Sequence, residues 1–421
     1  MTLYDTFSIL IVLSAMFAYI NYRFIKLPST IGLMSIAIVT SLIMLATASF
    51  FPVVMKDTTD LLHNFDFSEL LLGSMLSFIL FAGAIQVKAG DLKKERFSIF
   101  IYVSLGLLLS TFIIGTGLYL ILPLFNLPIS YVQCLLFGIL ISPTDPIAVL
   151  AMLKKAGIRK STEMKITGEA LFNDGVAVVI FLTILKIANH TEQLMWWDIG
   201  LIFLREAVGG LLLGIAIGYG AYLLMKSIDN YKVEVLLTVA VVMGGYTLAS
   251  KLGLSGPLAM VAAGIIMGNK GRMSAMSDNT WNYVSGFWEL IDEILNAILF
   301  VLIGLELLII PFKVNFLLIG LISIFVVLIS RYISVWLPGQ LTRFRGRYSH
   351  SGILLITWGG LRGGISIAMA LSLPKGLHNN LWVVITYIVV IFSILVQGLT
   401  IDKLAFKLKA QPETEEQKNS K

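Results

Sequence analysis

Charge is scarce in this chain. Asp, Glu, Lys and Arg make up 13% of its 421 residues and hydrophobic types 57%; the mean hydropathy of +0.89 excludes a soluble globular domain. Cysteine is nearly absent. Cys134 stands alone in an apolar run, so it closes no intrachain disulfide and reads as a small core side chain. The four histidines, His63, His190, His350 and His378, fall in expected loops or at helix ends. No His/Cys/carboxylate cluster has metal-ligand spacing, so no resident cofactor is expected. A G-x-x-x-x-G-K-[ST] phosphate loop is missing, which argues against a nucleotide-driven pump. The net charge of +6 is no nucleic-acid signature, because the basic residues lie in short tracts between apolar segments. What is left is an all-α polytopic membrane protein.

A bilayer crossing takes about 17–25 apolar residues. On that ruler the sequence predicts thirteen transmembrane helices, near 6–22, 30–50, 69–87, 98–122, 131–153, 163–187, 199–225, 233–250, 253–269, 283–310, 314–341, 351–373 and 381–402. An odd number places the termini on opposite sides. With the N-terminus outside, 23 of the 31 Lys and Arg residues face the cytoplasm, which predicts an N-outside, C-inside orientation. The dense tracts are Lys88 to Arg96, Lys154 to Lys165 and Arg343 to Arg347. The first span has no basic residue before it and two after it, the reverse of a signal peptide. Residues 403–421 read as a short, charged, disordered cytoplasmic tail.

Two predicted spans are interrupted. The segment 131–153 carries Pro143 and Pro146 around Thr144-Asp145, and 351–373 carries Gly359-Gly360-Leu361-Arg362-Gly363-Gly364. Under this topology the two run in opposite directions. Interruptions at matching places in oppositely oriented halves point to inverted repeats around a transport site. The first six and last six spans form the repeats, and 199–225 is the linker helix. The alternative is a proline kink in one span and glycine-mediated packing in the other.

The same spans hold charges that are costly in lipid. A carboxylate or guanidinium at mid-membrane costs at least about 2.5–3.5 kcal/mol and defaults to an ion or proton pathway. At 1.5 Å rise per residue, Asp174 lies about 17 Å into the span 163–187, with Asp145 and Arg362 at similar depth. Asp174 is the candidate carboxylate for either a proton or a metal cation. A carboxyl removed from water holds its proton more tightly, while a bound cation favours the ionised form. Asn173 offers an amide oxygen as ligand, or a donor holding Asp174. Thr144 and freed carbonyls around it are hard oxygen ligands suited to a small alkali cation, and Asp145 binds through water or balances helix-dipole ends. Ordinary interhelical hydrogen bonding is the plainer reading for Thr144 and Asn173. Arg331 needs a buried partner, and Glu169 lies at compatible depth, with Arg362 as the competitor. Glu289, Asp292 and Glu293, beside Trp281, Phe287 and Trp288, read as an amphipathic turn in the headgroup region. Glu69, Arg205, Glu206 and Glu306 read as snorkelling or solvated at outer ends.

The combination of S-P-T-D-P at 142–146, G-E-A-L-F-N-D-G at 168–175 and G-G-L-R-G-G at 359–364 resembles the monovalent cation:proton antiporters of the NhaP and mammalian sodium/proton exchanger type. The resemblance spans nearly the whole chain. It implies an NhaA-like antiporter fold with two unwound crossing helices, and a homodimer in contact with membrane lipids; the short tail and compact loops suggest a bacterial inner membrane. It implies a core domain (about 98–187 and 314–402) sliding elevator-fashion against a dimer domain (about 6–87 and 233–310). The transported substrates are then Na⁺ or Li⁺ and H⁺, in electroneutral one-for-one exchange, because Asn173 stands where electrogenic relatives carry a second aspartate. By motif position Asp174 is the ion-binding carboxylate, Asn173 its stabiliser, and Thr144 and Asp145 the unwound-helix contributors. Glu169 with Arg331 matches a structural ion pair, and Arg362 the arginine of the second broken helix. Many relatives carry Ser where this chain has Ala170, so one hydroxyl that can face the ion is missing.

A potassium/proton exchanger of the same fold is the nearest alternative, and a passive channel a further one. An intramembrane protease is more remote. Gly253-Leu254-Ser255-Gly256 fits G-x-S-G, and Asp145 with Asp174 imitates an aspartyl dyad. The first lacks a membrane-embedded histidine, the second the G-x-G-D motif, and a loop-and-cap role for Gly253 to Gly256 is the better account.

Overall fold

The computed structural model describes residues 3–47, 70–145, 160–189, 196–308, 313–341 and 350–409. Glu69, His63, His190, Pro146, the arginines at 343, 345 and 347, and the second half of the expected span 131–153 lie outside the described residues.

Long apolar runs become helices because hydrocarbon leaves backbone polar groups no other partners than their own chain. The helices are α1 (Leu3–Ile20), α2 (Ser29–Thr47), α3 (Leu76–Gln86), α4 (Ala89–Ile101), α5 (Leu107–Ile121), α6 (Tyr131–Ile141), α7 (Lys160–Asn189), α8 (Trp196–Met225), α9 (Tyr231–Lys251) and α10 (Gly256–Ile266). They continue with α11 (Asp278–Glu306), α12 (Val314–Leu341), α13 (His350–Trp358), α14 (Gly364–Leu371), α15 (Asn379–Phe392) and α16 (Leu399–Lys409). Wider π turns, at Tyr102–Gly106 and Ser393–Gly398, join α4 to α5 and α15 to α16 without a break. Among the described residues, eight continuous helices are long and apolar enough to cross a membrane; Leu71–Gln86 and Tyr131–Ile141 are shorter apolar helices.

Two ends differ from expectation. The helix expected from 98 begins at Ala89 and runs to Phe125 as one span, because the charged run Lys93 to Arg96 extends a helix beyond the apolar layer instead of ending it. The last helix continues to Lys409, past the expected end near 402. Starts are fixed by side-chain caps: Ser130, Asn230, Ser255 and Ser277 each accept from a backbone N–H in the following turn.

Packing follows side-chain size. Gly210, Gly214 and Gly218 of α8, spaced by four, lie against Ser255, which caps α10, and Ala259 and Ala263 of α10; a Cβ on Gly218 would sit 2.8 Å from the Ala263 Cα. Such stripes let helix backbones approach in lipid, where apolar burial gives no drive. The outward face of α8 exposes Leu201, Leu204, Leu212 and Leu224. α2 packs on α11, and α3 on α10 and α11; α5 packs on α6 and α12, and α12 on α15. The two groups meet where α7 touches α8 and α10 and where α11 touches α14. Buried hydroxyls tie them internally: Ser41 donates to the Gly304 carbonyl (2.7 Å), and Ser142 and Ser330 both donate to Ser110 Oγ (3.0 and 3.2 Å).

Candidate functional site

α6 stops at Ile141, before Pro143, and residues 142–144 are not helical. α13 stops at Trp358, and 359–363 are not helical until α14 begins at Gly364. The two non-helical stretches touch. Asp145 N–H donates to the Leu361 carbonyl at 2.8 Å, an isolated antiparallel bridge. Glycine makes the approach possible: a Cβ on Gly363 would lie 2.8 Å from both Cβ and Oδ2 of Asp145, and one on Gly360 would lie 2.6 Å from Arg331 Nε. Asp145 therefore places its carboxylate at the N-terminus of α14, where the helix dipole favours negative charge.

Arg362 serves the opposite polarity. Its Nη1 donates to the carbonyls of Ser142 and, at 2.9 Å, Pro143, just past the C-terminal turn of α6, where backbone acceptors have no helical partner. Its backbone N–H donates to Ser393 Oγ at 2.9 Å. Arg362 is 2% exposed, the most deeply buried cation among the described residues.

On α7 the structure separates roles that the sequence left open. Glu169 Oε1 accepts from Arg331 Nη1 at 2.7 Å, with both side chains buried. Arg331, not Arg362, is thus the partner of Glu169. The same oxygen accepts from Asn173 Nδ2 at 3.4 Å. Asn173 directs its amide nitrogen to Glu169 and not to Asp174, and its Oδ1, buried, accepts no hydrogen bond among the described residues. Asp174, one position on, is half-buried and close enough to Asp145 for the two carboxylates to repel. Thr144 is buried, its Cγ2 beside Gly360. Ala170 is 1% exposed.

Three acids lie where the sequence reading did not put them. Asp292, expected in the headgroups, is half-buried, accepts from Asn296 Nδ2 at 3.0 Å and interacts electrostatically with Asp145. The signal was Asn296, which shares a helix face with Asp292 one turn on and is 6% exposed. Glu306, expected to be solvated, is 5% exposed, because α11 continues into the packed interior before it ends. Glu206 does not stand free: it pairs with Lys186 at 2.5 Å, linking α7 and α8.

The protease constellation is not assembled. Ser255 Oγ caps α10 through Leu258 N–H at 3.2 Å, Gly253 takes φ +66° in the preceding turn, and His378 Nδ1 lies 3.2 Å from Gln133 Oε1, far along the chain.

The family model described as "Sodium/hydrogen exchanger, transmembrane" matches residues 11–407. The Na(+)/H(+) antiporter NhaP of Pseudomonas aeruginosa is 47% identical over 412 residues, covering 96% of this chain and 97% of that protein. The Na(+)/H(+) antiporter NhaH of Halobacillus dabanensis is 32% identical, covering 92% and 93%. Among solved structures, the sodium proton antiporter MjNhaP1 from Methanocaldococcus jannaschii at pH 8 superposes with a TM-score of 0.75 at 19% identity, covering 98% of this chain and 100% of that one, a likeness of fold.

Proposed function

We propose, given that this chain belongs to the transmembrane sodium/hydrogen exchanger family, that it exchanges Na⁺ for H⁺ across the plasma membrane through a site centred on Asp174. It is a secondary transporter and not an enzyme. The observation that carries the assignment is the meeting of two non-helical stretches, through the Asp145–Leu361 bridge, beside a half-buried carboxylate on α7.

Asp174 takes a cation or a proton, one at a time. An alkali cation needs hard oxygens close by. Asn173 Oδ1, free of other hydrogen bonds among the described residues, supports a place for it in that shell. Thr144 and Asp145 contribute from the stretch after α6. Only one charge is exchanged for one charge, so transport is electroneutral. Glu169 with Arg331, and Arg362, hold the framework without touching the ion.

Alternating access comes from elevator movement of a core (98–187 and 314–402) against a dimer half (6–87 and 233–310), with 199–225 linking them. The division of packing between the α5–α7/α12–α15 group and the α1–α3/α9–α11 group supports it. Thirteen spans in inverted repeats, two unwound crossing helices, an N-outside, C-inside orientation and a homodimer complete the reading.

The test is exchange in proteoliposomes with an imposed pH gradient. Na⁺ or Li⁺ added to wild type collapses the gradient, and Asp174→Ala reduces that response to the level of empty liposomes. Exchange that survives Asp174→Ala removes the assignment. Potassium in place of Na⁺ measures selectivity directly.

A further inference from the structure

Three polar groups in and beside the broken segment are buried and unpartnered among the described residues: Arg331 Nε, Arg362 Nη2 and Thr357 Oγ1. Their residues are 8%, 2% and 8% exposed. All three line one small cavity of about 10 Å³, together with Gly360 and Gln397; its remaining wall is apolar, including Val327 and Phe392. Buried N–H and O–H groups are nearly always satisfied by protein or by ordered water. The three residues that carry these unpartnered groups border one space, and this makes it a candidate site.

We propose that this cavity is a binding site for a single structural water molecule that joins the two guanidinium groups to each other and to Thr357. The donor set fits. A water accepts through two lone pairs, here from Arg331 Nε–H and Arg362 Nη2–H, and donates one O–H to Thr357 Oγ1. Gln397 supplies the fourth partner: its amide nitrogen is engaged by the Trp358 carbonyl at 3.1 Å, which leaves its oxygen to accept. A buried water needs two to four polar partners and on the order of 10–15 Å³, and the cavity meets both requirements.

Size decides against the obvious competitor. Two guanidinium groups beside one carboxylate, Glu169, leave an excess positive charge that a halide would balance. A chloride is larger than a water and accepts only; the Thr357 hydroxyl could turn to donate to it, but the Gln397 oxygen would be left facing a negative ion.

The location gives the water its role. Arg331 is on α12, Thr357 on α13 before the interruption, and Arg362 within it. The water thereby connects the Glu169–Arg331 pair to the Arg362 clamp on the Ser142 and Pro143 carbonyls, making one hydrogen-bonded unit of three helices. Thr357 is a positioning residue in this scheme. The site is independent of which ions the protein exchanges.

The experiment is a high-resolution crystal structure of the full-length protein, from paired crystals in chloride and in bromide. The expected result is one peak within hydrogen-bond distance of Arg331 Nε, Arg362 Nη2 and Thr357 Oγ1, the same in both salts and without bromine anomalous signal. A bromine peak there, or no density with the donors turned to other partners, overturns the proposal. In liposomes, Thr357→Val lowers maximal exchange several-fold at unchanged apparent KM for Na⁺, and Thr357→Ser restores it. Failure of serine to restore the rate also counts against the water, because serine keeps the hydroxyl and loses only the methyl.

Discussion

Glu169 Oε1 is the most heavily used oxygen of the site, accepting from Arg331 at 2.7 Å and from Asn173 at 3.4 Å. Removing Arg331 leaves a buried charge without its partner, whereas removing Asn173 costs only a hydrogen bond. The pair itself contributes little net stability, since desolvating two ions offsets their attraction; removing one member leaves the other uncompensated, at about 3–5 kcal/mol. Arg331→Ala is therefore expected to lower the melting temperature in detergent sharply, and Arg331→Ala with Glu169→Gln to recover most of the loss. A double variant no more stable than the single one would show that Arg331 acts through packing. Asn173→Asp is expected to destabilise as well, because it sets an acceptor against an acceptor. That loss should grow as pH rises, since a protonated acid still donates to Glu169 at low pH and two ionised carboxylates repel at high pH; thermal melts across the range would measure it. The chemistry of these residues was legible in the sequence because charge in an apolar span is rare. Partner choice was not: Glu169 faced two arginines at similar depth, and only the packing of α12 on α5, which carries Arg331 to α7 through the same bundle, selects between them.

The elements carry the next level of constraint. That α6 ends near Pro143 and α13 at Gly359 follows from residues that cannot sustain or favour a helix, and it was readable from composition alone. That the two stretches meet through Asp145 and Leu361 was not readable, since a single bridge leaves no periodicity. The role of Gly363 belongs to this scale. It carries no functional group, yet a methyl there would press on Asp145 at 2.8 Å from Cβ and Oδ2, a short side chain whose Cβ is fixed to its own backbone and cannot swing away. Gly363→Ala is expected to reduce exchange at least about tenfold, the consequence of an ångström-scale misplacement of a binding group, with far less effect on the melting temperature than Arg331→Ala. Parallel transport and melting measurements separate the two; equal losses in both would assign Gly363 to general packing. The misread helix start at Ala89 has a similar physical origin. Lys93 to Arg96 look like a loop in a hydropathy profile, but Lys and Arg are good helix formers, so the helix continues past the apolar layer. Glu306 was misplaced for the converse reason: sequence position near a helix end says nothing of whether that end is covered.

At the scale of the whole molecule, the proposed exchange makes one demand that no static contact expresses: proton and cation must exclude each other. If both use Asp174, protons act as a competitive inhibitor of Na⁺. Below the pKa of that carboxyl, the apparent KM for Na⁺ then rises about tenfold for each unit the pH falls, while the maximal rate at saturating Na⁺ holds. If the two ions used separate groups, such as Asp174 for one and Asp292 for the other, protonation would instead change the maximal rate and leave KM nearly fixed. Asp292 makes the distinction pointed, because it interacts with Asp145 just as Asp174 does and stands on the opposing helix group. Initial rates in proteoliposomes over a grid of Na⁺ concentration and pH decide between the schemes. Repeating the grid with Asp292→Asn closes the remaining route: under competition at Asp174 the slope of log KM against pH is retained in that variant, whereas a two-site exchanger loses its proton dependence with the second acid. Imposing a membrane potential with valinomycin and K⁺ gradients then tests charge balance in the same vesicles, and a rate indifferent to the potential is what one cation for one proton requires.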